Sequence, residues 1–107
     1  MLENREYCKR VAEEIEECAA GKMVDDDGNE LSLYDYLADV LDYEFTVDSR
    51  KEYKAAKIWV ALGGPNVWID TAERAVKLAW GTDREEYALN WDVCEEIDDV
   101  MQDIYEC

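Results

Sequence analysis

The stretch KIWVALGGPNVWID, Lys57–Asp70, decides the fold. Ile58, Val60 and Leu62 alternate with Lys57, Trp59 and Ala61, and after Gly-Gly-Pro-Asn, Val67 and Ile69 alternate with Trp68 and Asp70. A period of two places successive side chains on opposite faces of a strand. Two such runs joined by a short turn make an antiparallel hairpin. The glycines permit positive φ, and Pro65 fixes its own φ near −65°. A phosphate-gripping loop would need a helix N-terminus after the glycines, followed by Lys-Ser/Thr. Here a second strand follows, so the turn is structural.

The same alternation extends on both sides. Upstream, Tyr43, Phe45 and Val47 alternate with Glu44, Thr46 and Asp48. Downstream, Val76, Leu78 and Trp80 alternate with Lys77 and Ala79. The segment from Gly81 to Glu86 reads as a loop, with Tyr87–Leu89 as a candidate short edge strand. Helical spacing marks the flanks. Cys8, Val11, Ile15 and Cys18 recur over Leu2–Ala20, with Gly21 as the stop. Ser32 caps a second helix whose apolar face is Leu33, Tyr36, Leu37, Val40 and Leu41. Asn90 caps a third, Trp91–Glu106, with Cys94, Ile97, Met101 and Ile104 as its stripe. The expected fold is a single α+β domain over residues 1–107, a four-stranded antiparallel meander in the order α-α-β-β-β-β-α. Helices from both ends of the chain pack on one sheet face.

Composition narrows the function classes. The 107 residues carry 28 acids and 11 bases, a formal charge of −17. So acidic a chain repels nucleic acid and anionic membrane, and suits a basic partner. There is no histidine, and none of the four cysteines sits in a C-x-x-C pair. That removes a histidine-containing zinc site and any Ser-His or Cys-His pair. Cys8, Cys18 and Cys94 lie on apolar helical stripes and read as small core residues. Met1–Ala12 is charged throughout, unlike a secretory leader. No apolar run approaches the roughly 20 residues that span a bilayer. The expectation is a soluble, intracellular protein with no catalytic residue, metal ligand or cofactor. Glu44 and Asp70 with Lys57 or Lys77 resemble the carboxylates and lysine of a metal-dependent nuclease, but cross-strand ion pairing is the simpler reading.

The acids are unevenly distributed. Residues 1–48 hold 15 acids and 4 bases, residues 49–81 hold 3 and 6, and residues 82–107 hold 10 and 1. The net charges are −11, +3 and −9. Asp92, Glu95, Glu96, Asp98, Asp99, Asp103 and Glu106 share the last helix with no lysine or arginine. They form seven like-charge pairs at i,i+3 or i,i+4, which together cost about 1.5–3.5 kcal/mol before screening. Asp103 and Glu106 also oppose the helix dipole. A local rule broken without visible gain marks these seven acids as candidate partner-binding residues. Over a helix of about 24 Å they give one acid per roughly 3.4 Å, near the phosphate rise along one DNA strand. Trp59 and Trp68, on one face of the hairpin, are the second candidate, because tryptophan is enriched at interface hot spots.

LGGPNVWIDT (62–71), VKLAWGTDREEYAL (76–89) and VCEEIDDVMQDIYE (93–106) resemble a group of small proteins carried by phages and conjugative elements of Gram-positive gut bacteria. The upstream DDDGNELSLYDYLADVLDYEF (25–45) fits the same pattern. The resemblance covers about Asp25 to Glu106 and implies an anti-defence role in the bacterial cytoplasm. The implied partner is a basic nucleic-acid-binding protein, a CRISPR effector or a restriction complex, inhibited by DNA mimicry. The alternative is a regulatory or structural interaction domain that uses the tryptophan face.

DDDGNE (25–30) resembles a calcium loop, but with Gly28 at its sixth position Met23 and Tyr34 occupy the first and twelfth ligand places. Calorimetry with calcium is therefore expected to show no binding at micromolar affinity. Tight binding abolished by Asp25→Asn would refute the turn reading.

Overall fold

The computed structural model describes residues 4–107. Helix α1 (Asn4–Ala19) and a short α2 (Leu33–Ala38) precede strands β1 (Asp42–Val47), β2 (Tyr53–Ala61), β3 (Asn66–Asp70), β4 (Ala75–Trp80) and β5 (Asp83–Ala88). Helix α3 (Trp91–Glu106) closes the chain. The five strands form one antiparallel sheet in sequential order. The α+β class and the meander stand as expected. The expected start of the first helix at Leu2 lies outside the described residues.

The core is one interface between a sheet face and the helices. Ala56, Ile58, Val67, Ile69, Val76 and Leu78 point to it from the strands. Cys8, Val11, Ala12 and Ile15 of α1, Leu37 of α2, and Cys94, Ile97 and Met101 of α3 fill it from above. Helix α1 lies over β4 and β5, and α3 reaches β2. Caps form where the side chains predict them. Ser32 Oγ accepts from the Asp35 amide at 3.1 Å, and Asn90 Oδ1 from the Asp92 amide at 2.8 Å. Gly21, at φ +75°, ends α1 with Gly21 N–H donating to Cys18 and Lys22 N–H to Glu17, the paired bonds of a Schellman stop.

Three expectations need correction. The sheet has five strands, not four. Asp83–Ala88 was expected to be mostly loop because four of its six residues are charged, a composition depleted in strands. A two-residue turn at Gly81-Thr82 brings it onto β4 in unbroken register from Trp80↔Asp83 to Ala75↔Ala88. Its charges then protect a sheet edge that would otherwise recruit other chains. Helix α2 stops at Ala38, and Leu41, expected on its buried face, is 63% exposed. The Leu41 amide donates instead to the Trp59 carbonyl, so the chain has already joined the sheet. Val47, expected beside Tyr43 and Phe45, is 39% exposed at the edge strand's end, where the β1–β2 register shifts between Thr46 and Val47.

The Gly-Gly-Pro-Asn turn does connect β2 to β3, with Gly63 at φ +107° and its amide held by Asn66 Oδ1 at 2.9 Å. Thr71 extends the pairing beyond β3: its hydroxyl accepts from the Ala56 amide at 2.9 Å, and its own amide donates to the Ala56 carbonyl. The DDDGNE segment is a turn closed by a Val24↔Glu30 bridge, with Asp25 Oδ1 accepting from the Asp27 and Asn29 amides.

All four cysteines are free: Cys8, Cys18 and Cys94 are buried and Cys107 is exposed. Burial, reinforced by nearby carboxylates, pushes the Cys8 and Cys94 thiols up to about 11 and raises Cys18 as well. A thiol reagent at about pH 8 is expected to modify Cys107 rapidly and the other three only on unfolding, since the thiolate is the reactive species. Four thiols should be counted in denaturant without reductant; a count of two or none would replace the core-thiol reading with a disulfide.

Candidate functional site

The two layers present opposite kinds of surface. On α3, Cys94, Ile97 and Met101 are buried, which turns the acids away from the sheet. At 100° per residue, Asp92, Glu95, Glu96, Asp99, Asp103 and Glu106 fall within an arc of about 100°, centred nearly opposite the buried stripe. All six are exposed. Among the described residues, the ion pairs within 4.0 Å are Arg10–Glu14 and Lys54–Asp48, so no base neutralises this stripe. Helix α1 is more mixed. Its exposed Glu6, Glu13 and Glu17 share the helix with Lys9 and Arg10, so the unbroken acidic stripe belongs to α3 alone.

Asp98 does a different job from its neighbours. It is half-buried, and Tyr53 Oη donates to its Oδ1 at 2.6 Å. Tyr105 Oη donates to the Lys51 carbonyl at 2.6 Å, and the rings of Phe45, Tyr53 and Tyr105 pack with centroids 5.1–6.4 Å apart. These contacts fasten the C-terminal half of α3 to the β1–β2 end of the sheet. At the other end, the Arg74 guanidinium lies 3.4 Å from the Trp91 ring centroid, and Trp91 Nε1 donates to Glu95 Oε1 at 2.9 Å. The acidic stripe is thus presented on a helix fixed at both ends. Gln102 donates to Glu106 at 3.2 Å, a bond within the stripe.

The second candidate lies on the other side of the sheet, where the helices do not reach. Trp59 and Trp68 are direct cross-strand partners with ring centroids 4.9 Å apart and planes inclined by 35°. Both are half-buried, and Trp68 Nε1 is inaccessible with no hydrogen-bond partner. The strand register builds two rows across this open face: Asp42, Trp59, Trp68, Lys77 and Glu86 in one, and Glu44, Lys57, Asp70, Ala75 and Ala88 in the other. A cleft of about 330 Å³ beside Trp68 is bordered by Lys77, Arg84 and Glu86. The cross-strand ion pairs expected among Glu44, Lys57, Asp70 and Lys77 are not closed within 4.0 Å among the described residues. Asp70 is only 5% exposed and accepts from the Glu73 amide at 3.0 Å, which caps the β3–β4 turn.

Among the described residues no group of three or more acidic or cysteine side chains is placed to hold a metal ion, and no helix is long and apolar enough to cross a membrane. No family model, curated protein or solved structure matches the chain. The exposure of the α3 acids and the shared face of Trp59 and Trp68 agree with the sequence pattern, which missed the contact of Asp98 with Tyr53. The signal for that contact was weak: Asp98 is the one acid of α3 displaced by about 110° from the centre of the stripe.

Burial and the Asp98 hydrogen bond hold the Tyr53 phenol well above its ordinary range. The folded state therefore binds this proton more tightly than the unfolded chain. Its stabilisation is full below about pH 10 and declines as pH rises above the unfolded value. Tyr53→Phe is expected to cost about 1.5–3 kcal/mol at neutral pH, the worth of one hydrogen bond to a charged group. Urea denaturation at neutral pH and at about pH 11 should show the gap between wild type and variant narrowing at the higher pH. A gap that is absent at neutral pH, or widens at high pH, contradicts the assigned contact.

Proposed function

We propose that the protein is a non-enzymatic binding protein whose α3 stripe occupies the basic nucleic-acid site of another protein. The observation that supports this reading is the alignment of six exposed acids without an ion-pair partner in one arc on a helix held at both ends. Solubility alone requires only scattered charge, with lysines interspersed to relieve repulsion. Here the like-charge pairs are retained and concentrated. From Asp92 to Glu106 the stripe runs about 21 Å, a length comparable to several phosphates along one strand. The exposed acids of α1, and Asp35 and Asp39 around α2, extend the negative field beyond α3. Such a field also speeds encounter with a basic groove.

The class of target follows from the charge argument together with the sequence resemblance: a bacterial CRISPR effector or restriction complex, whose DNA-binding surface is basic. The protein would act in the cytoplasm of the host cell, without a cofactor and without binding nucleic acid itself.

The test is displacement of DNA from a panel of purified CRISPR effectors and restriction complexes. The wild type is expected to displace DNA from at least one, and less effectively as salt rises from about 0.1 M to about 1 M, where the Debye length falls to about 3 Å. The quadruple variant Glu95→Lys, Glu96→Lys, Asp99→Lys, Asp103→Lys should lose displacement. It should fold normally, with an equal or higher melting temperature, because four like-charge repulsions are relieved off the buried stripe. If the wild type displaces DNA from no member of the panel, or the quadruple variant is as potent as wild type, the proposal fails.

A further inference from the structure

We infer that the open sheet face is a self-association surface, on which a second copy of this chain docks face to face about a two-fold axis parallel to the strands. The pattern of charges in the strand register points to that occupant. Take the axis to run between β2 and β3. It then places β2 over the partner copy's β3, and β1 over the partner copy's β4, while preserving position along the strands. Trp59 meets Trp68 of the other copy. In the same row Asp42 meets Lys77. Each of these contacts occurs twice by symmetry, so this row of the face is complementary to itself.

Other features of the face agree with a sheet as occupant. Between its long side chains lie Ala55, Ala75 and Ala79, small enough to let a second layer approach. Two sheets pack face to face about 10 Å apart, with their strands within about 30° of alignment. The charge distribution also permits it. Residues 49–81, which supply β2, β3 and β4, carry a net +3 in a chain of −17. Pairing through this face points the acidic helical layers outward, away from each other. Pairing through the helices would oppose two α3 stripes. The dimer therefore leaves the proposed α3 surface free on both outer sides.

The size of the surface sets its strength. Four strands overlap in this arrangement and β5 overhangs. The overlap is about 20 Å by 20 Å, roughly 400 Å² of flat area per copy before side-chain relief. That is about 800 Å² in total, below the usual range for a stable specific interface, so the association should be weak and concentration-dependent. The tryptophan pair supplies the desolvated centre on which such a small interface depends.

The experiment is sedimentation equilibrium on the full chain, from about 1 µM to about 1 mM. The wild type should pass from monomer to dimer within this range. Asp42→Lys and Lys77→Glu, each alone, should weaken the dimer about tenfold or more, because each places two like-charge pairs across the interface. The double variant with both changes should recover most of the wild-type affinity. Asp42 and Lys77 stand three strand spacings apart within one chain, about 14 Å, so an intramolecular contact does not explain such a rescue. Trp59→Ala should abolish dimerisation, and circular dichroism reports whether that variant is folded. A wild type that stays monomeric across the range overturns the inference, as does a double variant no better than either single one. The quadruple α3 lysine variant should dimerise like wild type, which separates failure of this inference from failure of the proposed α3 function.

Discussion

One packing constraint governs the molecule: three helices of 16, 6 and 16 residues must cover a sheet of five strands. They can cover one face. Ile58, Val67, Ile69, Val76 and Leu78 therefore share a single apolar interface with Ile15, Leu37, Ile97 and Met101. The molecule is two layers thick, with a smallest extent of 24 Å. The far side of the sheet carries no helix. The position of both candidate surfaces follows from this arrangement, because each lies on the outside of one layer.

The division of charge has the same origin. A helix in a two-layer domain faces the core with one stripe and solvent with the rest. The outer arc of α3 is free of packing demands, and its sequence fills that arc with acids alone. A sheet face open to solvent alternates differently. Its strands send every second residue outward, and here those residues are alanines, two tryptophans and charges of both signs. The result is a molecule with one strongly negative side and one mixed, flat, aromatic side.

The fastening of α3 joins stability to the proposed binding role. A helix bearing seven acids without a base gains little from local electrostatics, so tertiary contacts must hold it. Arg74 against Trp91, and Tyr53 with Tyr105 at the far end, provide those contacts from the sheet connections. Arg74 adopts a positive φ of 52°, an uncommon state for a side-chain-bearing residue, and its carbonyl accepts from the Leu89 amide. The β3–β4 turn thus grips both the entry to α3 and its first turn. Rigidity of this kind lowers the entropy lost on binding and suits a surface meant to match a fixed groove.

Much of this was legible in the amino-acid sequence, and physical reasons separate what was from what was not. The bounds of α3 followed from Asn90 and an unbroken apolar period, because caps and periodicity are local properties. The β2–β3 hairpin and the shared face of Trp59 and Trp68 followed from strict alternation around one short turn. The free state and burial of Cys8, Cys18 and Cys94 followed from their place on apolar stripes. Other features were decided by neighbours distant in sequence. Strand β5 forms despite its charges because β4 offers a complete ladder and α1 covers its inner side. Helix α2 ends early because the Leu41 amide finds the Trp59 carbonyl. Asp98 departs from the other acids of α3 because Tyr53, 45 residues away, reaches it from the sheet. Propensity and period describe a residue's own segment, but hydrogen-bond partners across the fold exist only once the sheet has assembled.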